Sequence, residues 1–415
     1  MFKNKASYWT FSGFFYFYFV SFSFAMSLFG IWLKQAAGLD GAQTGIVFAI
    51  NSVAALCIHP LYGVLSDKLG LRKHLLWLII VLLLSAGPFV EFVYSPLLQK
   101  NIWLGALVGS LYLAATFTSG NAAIETFVEK IGRKDGFEYG QARMFGSLGW
   151  ATATFFAGQT FNISANLNFW ICSIGAIILG ILFYFSRVDS NQEQTPQAKS
   201  DGIKLSDITE LLRNRKFWAF VMYIVGVTCI FTIYDQQFPV YFSSLFESPE
   251  IGNRMYGYLN CVQVLAEAGC MFIAPMIVSK IGSKRGLILG GALMCIRITC
   301  SGLAEDPWLV AATKLIHSFE LPVMFISIFK YIGYHFNKRV SSTMYLVGYQ
   351  FSGTLASVVL APVVGQLYDS IGFSRTYLMM GAYVFVFTVI SACTLSGTRT
   401  ERDLNETRGV LHVEH

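Results

Sequence analysis

Along most of its length the chain alternates apolar runs of helix-spanning length with short polar breaks. Twelve such runs are legible, at 8–34, 42–66, 74–98, 103–129, 140–161, 166–186, 217–244, 254–279, 286–304, 307–330, 341–367 and 374–396. About 20 apolar residues in a helix cross the roughly 30 Å of hydrocarbon in a bilayer, where backbone groups must be paired internally, so each run predicts a transmembrane helix. Between the sixth and seventh runs lies RVDSNQEQTPQAKSDGIKLSDITELLRNRK, the only long polar linker. The pattern predicts an all-α polytopic membrane protein of twelve spans in two six-helix bundles. Residues 1–186 form the first bundle, 187–216 the linker, 217–396 the second bundle and 397–415 a polar tail.

Composition excludes a soluble globule, since 54% of the 415 residues are hydrophobic and only 13% are charged. The first run follows MFKNKASYW with no small-residue cleavage site, which predicts a retained span and not a signal peptide. Cys57, Cys172, Cys229, Cys261, Cys270, Cys295, Cys300 and Cys393 are scattered singly. They read as small core hydrophobes, not as a disulfide framework or a zinc site.

A net charge of +6 would suit nucleic acid, but its distribution fits membrane topology. Lys34, Lys100, Arg254 and Arg375 are the basic residues in loops remote from the termini; Arg143, Arg297 and Lys314 fall inside spans; the rest gather with the termini and the linker. The positive-inside rule then places both termini in the cytoplasm, with the lipid bilayer as partner and no nucleic acid. There is also an internal repeat. GVLSDKLGLRKHLL from Gly63 joins the second and third runs, and PMIVSKIGSKRGLIL from Pro275 joins the eighth and ninth, with a short basic turn at the same place. Repeated halves with polar groups at mid-depth are a common plan of secondary transporters.

Those polar groups carry the candidate chemistry. WLVAATKLIHSFELPVMFISIFK from Trp308 holds Lys314, His317 and Glu320, spaced three apart and therefore on one stripe of a helix. A charge at the centre of a membrane helix costs about 2.5 to 3.5 kcal/mol even on lenient scales, so this stripe should face partners or a water-filled cavity. The fourth run has Glu125 and, nearer its end, Glu129; the fifth has Arg143, Ser147 and Trp150 along one stripe. A pyranose offers vicinal hydroxyls to an Arg or a carboxylate and an apolar C–H face to an aromatic ring, so this set suits a sugar. An Arg paired with Glu125 for structure and a Trp in the core is the alternative. Asp235 in the seventh run needs a cation, for which Lys314 is the natural choice. Gln263 and Glu267 share a face of the eighth run, and Arg297 stands in the ninth. With His317 and Glu320 they make a second cluster, with two acids able to take up a proton.

No Walker sequence or metal-ligand spacing competes, so no cofactor is expected beyond the proton as coupling ion. His59, His74 and His335 lie near span ends and read as interfacial.

GVLSDKLGLRK resembles the cytoplasmic loop motif of the major facilitator superfamily, which marks Gly63, Asp67, Arg72 and Lys73 as a conformational loop. FEYGQARMFGSLGW from Phe137, YDQQF from Tyr234 and KLIHSFELP from Lys314 resemble the oligosaccharide/proton symporters, nearly end to end. The resemblance implies pseudo-symmetric bundles and proton-coupled uptake of a disaccharide across the bacterial inner membrane; a monomer is the default expectation. Glu125 and Arg143 would hold sugar hydroxyls and Trp150 would stack on a ring. Arg297 and Glu320 would form the proton site, His317 and the acid of the eighth helix, Glu267 preceded by Gln263, would join sugar to proton, and Asp235 with Lys314 would be a structural pair. The galactoside branch carries a second charge pair where this chain has Thr232 and Gly353, and its eighth-helix acid aligns with Val264. In these respects, and in YGYLN from Tyr256, the chain resembles the sucrose branch, whereas Trp150 and Glu125 are of galactoside type. Sucrose is the expected cargo, with galactosides as the alternative. A polytopic sensor or enzyme using His317 and Glu320 lacks the third orienting residue it would need.

Overall fold

The computed structural model describes residues 5–69, 73–186, 212–336 and 344–397. Ten helices within them are long and apolar enough to span a bilayer. An eleventh span is the pair His74–Leu84 and Ala86–Lys100, bent by 52°. Tyr139–Ile163 is also long enough at 25 residues, but Gln141, Arg143, Gln159 and Asn162 make it too polar to register by hydropathy. In chain order the spans are α1 (Ala6–Gln35), α2 (Gly41–Leu69), α3 (the bent pair), α4 (Ile102–Asp135), α5 (Tyr139–Ile163), α6 (Leu167–Phe185), α7 (Arg215–Ser244), α8 (Pro249–Ile281), α9 (Ser283–Leu303), α10 (Pro307–His335), α11 (Met344–Ile371) and α12 (Phe373–Thr394). The domain is all-α among the described residues.

The ends are set by local chemistry. Asn101 and Asp306 cap α4 and α10, each accepting from two backbone N–H groups, and Pro307 occupies the first turn, where no N–H is needed. Gly282 and Gly372 take φ of 85° and 83° in the tight α8–α9 and α11–α12 turns, a region that disfavours other residues. The apolar pattern places the ends of α4 and α10 at 129 and 330, whereas the helices continue to Asp135 and His335. Backbone hydrogen bonding does not stop where side chains become polar, and α4 ends only where Gly136 turns left-handed.

Two seams of small residues carry the packing. On α5, a Cβ at Gly146 would lie 2.7 Å from the Phe19 ring and one at Gly149 only 2.3 Å from the Tyr16 carbonyl, so α5 lies almost backbone to backbone on α1. On α9, Gly286 and Gly290 face Ser327 and Met324 of α10, while Gly291 and Gly302 face α12. Lipid tails are as apolar as leucine, so membrane helices associate through such close contact. Outward-facing side chains such as Phe272 and Val359 are large and apolar, as contact with hydrocarbon requires. Cys172 and Cys229 are buried as expected, but Cys57, Cys300 and Cys393 are exposed on the helix surface, where surrounding lipid tolerates a thiol as well as a core does.

The chain forms two compact units. One comprises Met1–Ala198, Gln236–Leu265 and Val358–Ser370; the other comprises Lys199–Asp235, Ala266–Ser357 and Ile371–His415. One boundary falls in the linker. The ends of α7, α8 and α11 remote from the termini pack with first-half helices in the first unit, so the units do not coincide with the two sets of six helices.

Candidate functional site

In the first unit, the α1–α5 seam fixes where the polar stripe of α5 points. Ala142, Gly146, Gly149 and Ala153 are buried, which leaves Arg143, Ser147 and Trp150 half-buried on the adjoining face. Arg143 Nε donates to Glu125 Oε1 at 2.8 Å, and its guanidinium lies 4.0 Å from the Phe19 ring centroid. Both side chains keep about 30% of their surface exposed (29% and 30%), so the pair is open to a ligand and not sealed in a core. Trp150 meets Phe22 edge to face at 5.3 Å. An acid, a guanidinium and an indole thus stand together with unused hydrogen-bonding capacity and a ring face.

The second unit holds a denser cluster. Arg297 is completely buried on α9 and is held by both acids. Its Nε donates to Glu320 Oε2 at 2.8 Å, one terminal nitrogen to Glu320 Oε1 at 3.3 Å, and the other to Asp235 Oδ1 at 3.3 Å. Lys314 Nζ donates to the same Asp235 Oδ1 at 2.9 Å, and His317 Nε2 lies 3.6 Å from Oδ2. Two carboxylates face a guanidinium and an amine, and such balancing avoids the cost of a lone buried charge. Aromatic rings wall it in. Phe231 stacks on His317 at 5.0 Å, and Tyr234 lies 4.5 Å from the Arg297 guanidinium. Among the described residues His317 Nδ1 is buried with no hydrogen-bond partner, a demand that a sugar hydroxyl could meet.

Asp235 is therefore shared between Lys314 and Arg297, a finer arrangement than the two separate pairs that charge balance suggests. Gln263 is buried and Glu267 half-buried, one turn apart on α8. His59 is a correction. It sits within α2, ten residues before the helix ends at Leu69, where Nδ1 lies 2.9 Å from the Ala55 carbonyl and 3.0 Å from Ser119 Oγ. Of the loop residues, Lys73 donates to the Phe183 and Ser186 carbonyls at the C-terminal end of α6, where the helix dipole favours a cation. Gly63 has open space where a Cβ would be, and Arg72 lies outside the described residues. Asp67 falls in α2. The partners Phe19, Phe22, Phe231 and Tyr234 are not singled out by sequence reasoning, since aromatic residues are too frequent here (16%) for four of them to stand out.

The helical architecture with polar clusters inside its spans is that of a multi-pass membrane transporter of the major facilitator fold. The crystal structure of the nucleoside transporter NupG superposes with a TM-score of 0.80 over 95% of this chain and 100% of that one, at 15% identity, a likeness of fold alone. The chain belongs to the LacY proton/sugar symporter family, whose sequence profile matches residues 1–408. The raffinose permease of Escherichia coli is 41% identical over 95% of this chain and 94% of its own length, and the sucrose permease of Escherichia coli is 38% identical over 94% of each. It is an oligosaccharide/proton symporter and not an enzyme, so the sensor or enzyme alternative falls.

The shared carboxylate makes the charge cluster asymmetric to mutation. Lys314→Ala leaves Asp235 with Arg297, whereas Asp235→Asn takes the carboxylate from both cations. Breaking a buried pair costs about 3 to 5 kcal/mol. We expect Asp235→Asn to lose transport and thermal stability, Lys314→Ala to lose less, and the double mutant to recover toward Lys314→Ala. Parallel transport and melting measurements would contradict the arrangement if the double mutant were worse than both single mutants.

Proposed function

We propose that this chain imports sucrose with a proton across the bacterial inner membrane, as a monomer, with both termini cytoplasmic and with two six-helix bundles alternating access to the substrate. The observation that carries the choice of sugar is the simplified charge set of the second half. Thr232, where the galactoside branch has an acid, turns its hydroxyl onto the Thr228 carbonyl at 3.4 Å, and Gly353, where that branch has a lysine, packs against Ile224. Glu267 stands three residues, about one turn, beyond the aligned Val264 and, with Gln263 and His317, is suited to the second sugar ring. Glu125 and Arg143 take hydroxyls of the first ring and Trp150 its apolar face. Glu320 carries the proton with Arg297 as counter-charge, His317 and Glu267 link sugar to proton, and Asp235 with Lys314 neutralise the surroundings. The loop of Gly63, Asp67, Arg72 and Lys73 takes part in the conformational change. No cofactor is needed besides the proton.

A second reading has a specific basis. Glu125 and Trp150 are of galactoside type, and raffinose, a galactosyl-sucrose, presents both a galactoside and a sucrose unit. Uptake of labelled sucrose, raffinose, melibiose and lactose in a transport-deficient host separates these cargoes. Accumulation of sucrose above the others is expected. Raffinose or lactose accumulating where sucrose does not would contradict the proposal.

The division of labour between the clusters is tested on vesicles. With Glu320→Gln, sugar should still bind and exchange between equal pools, because an amide resembles the protonated acid, but net accumulation should fail, since an amide cannot release a proton before the empty carrier returns. Arg143→Ala should abolish exchange and accumulation together by removing a charge-assisted bond to substrate. Accumulation surviving in Glu320→Gln would take Glu320 out of the proton path and leave Glu267 as the better candidate.

A further inference from the structure

Beside the charge cluster of the second unit runs a chain of hydroxyls that the roles above leave unused. Tyr234 and Ser301 are completely buried and Thr313 nearly so. The Tyr234 hydroxyl pairs with Ser301 Oγ at 2.9 Å, and Ser301 Oγ pairs with Thr313 Oγ1 at 2.6 Å. Ser301 also donates to the Arg297 carbonyl, one turn back on α9, at 2.9 Å. Each hydroxyl has one hydrogen to give. With that of Ser301 on the carbonyl, Tyr234 and Thr313 must both donate to Ser301, although the Val310 carbonyl, 2.7 Å from Thr313 Oγ1, competes for the second.

Tyr234 precedes Asp235, Thr313 precedes Lys314, and Ser301 stands one turn beyond Arg297. The hydroxyls therefore tie α7, α9 and α10 together as a tier next to the ion pairs that join the same three helices. The Tyr234 ring adds a second hold. It lies 4.5 Å from the Arg297 guanidinium, where the face of an aromatic ring attracts a cation, and Tyr377 packs against the same ring at 4.8 Å. Arg297 is thus fixed twice, at its backbone carbonyl by Ser301 and at its guanidinium by the ring that Ser301 anchors.

We propose that Tyr234 is a positioning residue for the proton site: anchored by Ser301, it holds the Arg297 guanidinium against Glu320 and so sets how readily Glu320 gives up its proton. The proposal rests on Glu320 being the proton carrier. Glu320 is faced by Arg297 from α9 and by Asp235 and Tyr223 from α7, while Lys314 and His317 share its stripe on α10. Arg297 is the member of this set that bonds to both of its oxygens. A guanidinium beside a carboxylate favours the ionised form, so loosening Arg297 makes Glu320 keep its proton to a higher pH. In a symporter the proton and the sugar favour each other's binding, and linkage makes this reciprocal, so sugar affinity reports the proton.

The test is the pH dependence of sugar affinity, measured on the purified protein with whichever sugar the wild type accumulates. Affinity should fall as the pH rises through the point where Glu320 loses its proton. That midpoint should move upward by about one pH unit, a tenfold change in proton binding, in Tyr234→Phe, which keeps the ring and loses the anchor, and further in Tyr234→Leu. Tyr234→Phe and Ser301→Ala break the same bond, so the double mutant should shift no further than Ser301→Ala alone. A uniform loss of affinity at every pH, or a midpoint that the anchor variants leave in place, would overturn the positioning role. If one of these variants does not fold, the other is judged by the same criterion. Glu320→Gln separates the two readings, because the midpoint should vanish there. A midpoint persisting in Glu320→Gln would remove Glu320 from the proton path and the role of Tyr234 with it, whereas one abolished there but unmoved in Tyr234→Phe and Ser301→Ala would refute the role of Tyr234 alone.

Discussion

Everything in the second unit turns on one carboxylate oxygen. Asp235 Oδ1 accepts from Lys314 and Arg297 together, and Arg297 passes the link on to Glu320, so α7, α9 and α10 are bound into a single neutral cluster. Membrane helices cannot carry isolated charges into hydrocarbon at tolerable cost, yet a proton carrier must keep an ionisable acid there. Balancing two acids against two cations reconciles these demands. On the proposed role of Glu320, a proton added there would act on the whole cluster through Arg297, which also holds Asp235. A local protonation can reach α7 and α10 in that way.

Glycine makes such clusters possible. Arg297 is entirely buried although α9 is only one helix among twelve, because Gly286, Gly290, Gly291 and Gly302 let α10 and α12 close on it from both sides. The same device on α5 draws the helix onto α1 and turns Arg143 and Trp150 toward Glu125 and the half-exposed face. Small residues set the spacing, and the few large polar ones occupy what space is left.

Much of this is legible in the sequence because the membrane narrows the possibilities. A run of apolar residues in hydrocarbon has to be a helix, and an Asp, Arg or Glu inside one has to find a partner, so Asp235, Arg297, Lys314 and Glu320 announce themselves. Span existence follows from hydropathy except at α5, whose polar residues mask it, and α4 and α10 run past their apolar stretches because hydrogen bonds and a glycine turn decide helix ends. The sharing of Asp235 is not legible, since charge balance counts partners without placing them. The Tyr234–Ser301–Thr313 chain escapes for a different reason: single hydroxyls in membrane helices are commonplace, and only the fold brings these three together. Phe19, Phe231 and Tyr234 are hidden by the abundance of aromatic residues.

The central claim is that sugar and proton move together through these two clusters. It is tested most directly with a pH electrode in an unbuffered, anaerobic suspension of de-energised cells expressing the protein. Addition of sucrose should make the medium transiently alkaline as protons enter with the sugar, and an uncoupler should abolish the change. Sucrose entering at the same rate with no alkaline shift would contradict the account.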